Sequence, residues 1–198
     1  MEQRELFLQS DAALRSVIDR ITPEQLTLPA PAEWTSKENP TIRDILAAHA
    51  RDEAWVGDVL AGHTIEEVGD RFNGDLLGSD PIASYDRIND EATAVVLQDL
   101  DPAAIVHLQY GDYPLAEYLQ HTSIYRAFQA WSIANFLGQE YALPAPLVDL
   151  LWEQILPQVD DWRQYGVFPA EVEVPADADK ETRLLGKTGF WKPSRSTD

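Results

Sequence analysis

The chain has no cysteine, a single methionine, and only 15 lysines and arginines against 34 aspartates and glutamates. Without a thiol, disulfides, thiolate nucleophiles and cysteine-held zinc or iron–sulfur centres are excluded by inventory. A metal would have to be held by His, carboxylate, amide or phenol groups. The formal charge of -19 repels phosphate backbones and anionic lipids and argues against nucleic acid as a partner. No stretch approaches the roughly 18 consecutive apolar residues of a membrane span, and Met1 to Ser10 carry acids where a signal peptide would be apolar. These absences predict a soluble, cytoplasmic chain without a membrane partner. No Ser-His-Asp arrangement, Gly-rich phosphate loop, dinucleotide fingerprint or internal repeat is visible.

A length of 198 residues is enough for one substantial core, so a single domain over 1–198 is expected, with a frayed tail from about Lys192. From Arg4 to Ile21 the residues Phe7, Leu8, Leu14, Val17, Ile18 and Ile21 recur at three- and four-residue steps, the pattern of one buried helix face. The segment Leu28 to Pro40 holds three prolines and reads as an ordered loop anchored by Trp34. Thr41 then caps a second helix, with Asp44 at the capping-box position and Gly62 as its stop. A third helix is expected from Pro81 to about Gln98. Ala104 to Tyr110 reads as a short extended segment. Asp112 with Pro114 opens a fourth helix ending at Gly138, and Leu147 to Tyr165 forms a fifth, kinked at Pro157. Asp177 to Gly186 adds one short helix. The fold class is therefore all-α, an antiparallel helix bundle with an additional C-terminal helix and short extended segments.

Chemistry is sparse. His49 lies on the apolar side of the second helix with Glu53 one turn later, and Glu117 and His121 repeat that spacing in the fourth helix. If the two helices are neighbours, His49, Glu53, Glu117 and His121 converge on a site for a borderline divalent ion such as zinc or nickel. The bland alternative makes His49 a hydrogen-bonded core residue and Glu117 with His121 a surface pair. Arg126 sits within an apolar stretch; buried, it needs a carboxylate partner or holds an anionic ligand group. His63 reads as a helix-end cap, and His107 is given no catalytic role.

Several stretches together resemble one family: Glu33-Trp34-Thr35, then Thr41 to His49, Leu60-Ala61-Gly62, Thr64 to Asp70, Gly74 to Gly78, His107 to Asp112, and Val174 to Asp179 with Arg183-Leu184-Leu185. The chain is similar to the mycothiol-dependent maleylpyruvate isomerase-like group of the DinB-like superfamily. That resemblance implies an up-down-down-up four-helix bundle, a metal held between the second and the long later helix, and thiol-cofactor-dependent isomerase or transferase chemistry. His49 occupies the place of the family's first ligand. The places of the others hold Tyr125 and Gln129, neither a strong divalent-metal ligand, while Glu117 and His121 lie about two turns earlier, roughly 12 Å along the axis.

Two readings follow. In one, a divalent metal or a low-molecular-weight thiol supports isomerase, transferase or hydrolase chemistry at His49, Glu53, Glu117 and His121. In the other, the metal site is lost, and Tyr125, Arg126 and Gln129 line a pocket with His49 for a small molecule or a partner. A homodimer is compatible with both.

Overall fold

The period read along the first helix is the period of its burial: Phe7, Leu14, Val17 and Ile18 are fully enclosed in α1 (Glu2–Ile18). The computed structural model describes residues 1–192, so the expected fraying of the tail falls almost entirely outside the described residues. The chain is mostly helical, with one small two-stranded sheet. Short α2 (Pro23–Leu26) and a 3-10 turn, Ala32–Trp34, lead into α3 (Ile42–Leu60), followed by α4 (Ile65–Val68) and α5 (Pro81–Val96). The hairpin β1 (Ile105–Leu108) and β2 (Gly111–Pro114) precedes the longest helix, α6 (Leu115–Phe136). Then come α7 (Ala145–Gln154), a 3-10 turn at Leu156–Gln158, α8 (Val159–Gln164) and α9 (Lys180–Thr188).

Local chemistry sets these boundaries. Thr22 with Gln25, Thr41 with Asp44 and Thr64 with Glu67 form reciprocal capping boxes at the starts of α2, α3 and α4. Pro81 occupies the first turn of α5, where its missing N–H costs nothing, and Asp80 accepts from the Ala83 amide. Pro157 does more than kink the expected fifth helix. It divides that stretch into α7, the 3-10 turn and α8, because a proline cannot donate the interior hydrogen bond of a continuous helix. The start expected at Asp112 is likewise corrected: Gly111–Pro114 pairs antiparallel with Ile105–Leu108, and α6 begins at Leu115.

α1 packs along α6 and α3 along α5, with α1 also touching α5 and α7. From Arg126 to Trp131 every residue of α6 is buried, so its middle has no solvent face. Its far side is covered by the C-terminal region, where Phe190 stacks on Phe128 at 4.7 Å between ring centroids and Phe168 meets it edge-on at 5.9 Å. Trp34 anchors its loop against Phe136. No helix among the described residues is long and apolar enough to cross a membrane.

Candidate functional site

The four long helices meet around one buried guanidinium. Arg126 donates from Nε to Glu53 of α3 at 2.8 Å, lies 3.6 Å from Asp11 of α1, donates to the Thr122 carbonyl at 3.2 Å, and sits over the Phe7 ring. Asp11 in turn accepts from Asn89 at 2.6 Å and from Thr93 at 2.9 Å, both on α5. Burial alone would discharge Arg126, but Glu53, accepting its hydrogen bond, and Asp11 hold it charged and raise it above its ordinary value. Asp11 is pushed up to about 7, by burial first and by the Glu53 charge second, against the opposing pull of Arg126. Two acids therefore share one cation, and the cluster approaches neutrality when Asp11 keeps its proton. One Arg126 nitrogen, Nη2, one Glu53 oxygen and His49 Nε2 are buried without a hydrogen-bond partner among the described residues. Each is a standing cost until something satisfies it.

Beside this cluster a cavity of about 540 Å³ opens between α3, α6 and the hairpin. Arg126 forms part of its wall, with Tyr118, His121, Thr122 and Tyr125 from α6, Arg51, Asp52, Trp55 and Val59 from α3, and His107 to Tyr110 from the hairpin. Ile65 and Asn73 close the remaining side. Burial pushes the Tyr110 and Tyr125 phenols up to about 12, so both are neutral hydroxyls in the physiological range. His121 is lowered by burial, with Glu117 pulling the other way. Its Nδ1 lies 3.3 Å from the Tyr110 hydroxyl, and its ring packs against Tyr113 and Trp162.

The metal set expected from spacing is not assembled. Among the described residues no three His, Asp or Glu side chains approach closely enough to hold one ion. Glu53 is engaged by Arg126, Glu117 is exposed on α6, and His121 belongs to the aromatic wall. His49 is fully enclosed and stacks on Tyr125 at 4.5 Å, and burial, then the Arg126 charge, takes it down to about 3, leaving it a neutral imidazole. The equal spacing of the two pairs gave each helix a His and a Glu on one stripe, but the helices present those stripes at different depths. Of the expected pocket residues, Tyr125 and Arg126 do line the cavity, and Gln129 is buried one turn further along α6.

Sequence reasoning passed over Asp11, Asn89 and Thr93. A signal existed for two of them: Asp11 falls four residues after Phe7 and three before Leu14, on the core stripe, and Asn89 falls on the Tyr85–Ala92 stripe of α5. A polar residue on such a stripe requires a buried partner. His107, given no role by sequence, stands in the cavity wall. His63 bonds Asp58 at 2.7 Å, and Arg71 clamps the same carboxylate through both oxygens.

Comparison with protein-family models, curated proteins and solved structures gave no match.

Proposed function

We propose that the chain is a DinB-like, maleylpyruvate isomerase-like bundle with the up-down-down-up arrangement. Its central pocket binds a small, planar, conjugated molecule through a carbonyl or carboxylate oxygen. The pairing of α1 with α6 and of α3 with α5 supports the fold assignment. The observation that carries the ligand reading is Arg126, part of the cavity wall, whose Nη2 is enclosed behind that wall with no partner among the described residues, so that a ligand oxygen reaches it only where the wall side chains give way. A ligand oxygen is the complement of an unmatched donor, and the Trp55, Tyr118 and Tyr125 side chains around it suit a flat, unsaturated body. A zinc- or nickel-dependent site built on His49, Glu53, Glu117 and His121 has less support, because Glu53 is engaged by Arg126 and Glu117 is exposed. In this reading the Glu53–Arg126 pair occupies the interior where a metal would otherwise be held, and the pocket is kept for an organic ligand.

Calorimetric titration separates the terms. Cinnamate should bind, and cinnamyl alcohol, which has the same flat body without the strong acceptor, should bind at least about fivefold more weakly, the consequence of leaving a buried donor poorly matched at about 1–3 kcal/mol. Equal affinities, or no binding of either, contradict the reading.

A further inference from the structure

The chain holds four asparagines, Asn39, Asn73, Asn89 and Asn135, and the structure treats one of them differently from the rest. Asn39 precedes Pro40, whose nitrogen carries no hydrogen. Asn89 is buried in α5 with its side-chain amide held by Asp11 at 2.6 Å, and Asn135 lies in the last turn of α6. The backbone N–H that follows each of these two is engaged by its own helix. Asn73 has none of these protections. It is exposed in the loop between α4 and α5, and the residue after it is Gly74. Among the described residues the Gly74 N–H donates to no acceptor, and nothing stands within 4 Å of the place a Cβ would take. Its φ of +109° is one that glycine adopts freely. The Asn73 carboxamide is tied at one end only, with Nδ2 donating to Asp70 Oδ1 at 2.5 Å. Asn73 is also a wall residue of the 540 Å³ cavity.

We propose that Asn73 is a site of self-modification, at which the Gly74 nitrogen displaces ammonia from the Asn73 side chain and a neutral amide of the cavity wall becomes a carboxylate. The Gly74 nitrogen gives up its proton to water and bonds to Asn73 Cγ. The Cγ–Nδ2 bond breaks, Nδ2 takes up a proton and leaves as ammonia, and a five-membered cyclic imide remains. Water then opens the imide. Cleavage of the new N–Cγ bond gives aspartate at position 73, and cleavage of the old backbone C–N bond gives isoaspartate, with the chain running through the side chain. Water is the only co-reactant, and nothing is oxidised or reduced. The reacting atoms belong to adjacent residues, so their approach needs only rotation about the bonds of Asn73, which an exposed loop permits and a helix interior locks. Gly74 has no Cβ to crowd the ring as it closes. In the aspartate product a carboxylate replaces the amide that now donates to Asp70, so a hydrogen bond becomes a repulsion between two anions, and the cavity wall gains a negative charge. The inference stands independently of the ligand reading above.

The test is incubation of the freshly purified protein at body temperature for several weeks, followed by intact mass, anion-exchange chromatography and peptide mapping. Wild type should gain one mass unit and one negative charge, with aspartate and isoaspartate at position 73 before any change at Asn89 or Asn135. The conversion should be faster in mildly alkaline than in neutral buffer, because the attacking nitrogen must lose its proton. Asn73→Ser should show neither the mass nor the charge change, and Asn73→Asp marks the elution position of the product. Wild type that stays unmodified, or that is modified first at Asn89 or Asn135, overturns the proposal, as does an equal change in Asn73→Ser.

Discussion

His49 and Asp11 lie in one buried region and respond to pH with opposite signs. His49, lowered from an ordinary 6.5 to about 3, stays neutral in the folded state while the unfolded chain takes up a proton. Its contribution to stability is whole above about 6.5 and is lost as pH falls through that window. Asp11, raised from 3.8 to about 7, keeps a proton that the unfolded chain gives up, so its contribution is whole below about 3.8 and is lost as pH rises toward 7. Across roughly pH 4 to 6.5 the two slopes oppose each other. Subtracting the wild-type stability curve from that of each variant isolates each group. For His49→Gln the difference should fall as pH rises from 4 to 6.5, and for Asp11→Asn it should rise over the same range, read from urea midpoints at each pH. Differences that change in the same direction with pH for both variants would contradict the assignment. At this scale the sequence was partly legible. The apolar stripe of α3 placed His49 and Glu53 inward, and the apolar neighbourhood of Arg126 required a carboxylate partner or an anionic ligand group, of which Glu53 is the first. Which helix would supply it was not legible, because spacing within a helix carries no information about the rotation of its neighbour.

At the scale of elements, chain signals and structure agree wherever a cap or a stop residue acts locally. Thr41, Pro81 and Gly138 all mark helix ends within a few residues. They part where pairing is non-local. Gly111 to Pro114 carries the same Asp and Pro that open helices, yet Ile105–Leu108 recruits it as a strand, and the hairpin that walls the cavity follows from that contact. The C-terminal region shows the same dependence. Val172 and Val174 are weakly alternating in sequence, and their role is seen only against α9, where a Cβ on Gly186 would lie 2.5 Å from Val174 Cγ1 and 2.9 Å from the Val172 carbonyl oxygen. Gly186 is helical and needs no unusual backbone; it is small so that this strap can lie flat, and its amide neighbourhood is fixed by the Val172 N–H bonding back to the Gly186 carbonyl. Gly186→Ala should therefore destabilise by about 1–3 kcal/mol, as overpacking of a tight contact does, although alanine is the better helix former. A denaturant midpoint equal to or above wild type would show that the strap yields freely.

For the whole molecule the governing quantity is a net charge of -19 on 198 residues. Named ion pairs such as Arg43 with Asp75 and Lys187 with Glu171 are exposed, and each is worth only fractions of a kcal/mol. The acid excess as a whole repels itself in the folded state more than in the expanded one. Sodium chloride raised from about 0.02 to 0.5 M shortens the screening length from about 20 to about 4 Å, and the gain from weaker repulsion should exceed the loss of exposed pairs. A rise in Tm of a few degrees is expected by calorimetry, about 2–4 °C for each kcal/mol in a chain of this size. A fall would place the balance with the ion pairs. The same acid excess makes the cavity unusual in its surroundings, since Arg51 and Arg126 are both in its wall.

A crystal structure of the protein with cinnamate decides whether the Arg126 cavity is the ligand site. The ligand should lie in the cavity between α3, α6 and the hairpin, with a carboxylate oxygen within hydrogen-bond distance of Arg126 and the ring against Tyr125 and Trp55. Cinnamate held instead in the 410 Å³ cavity beside Trp34 and Trp131, with the Arg126 cavity left to solvent, would contradict it.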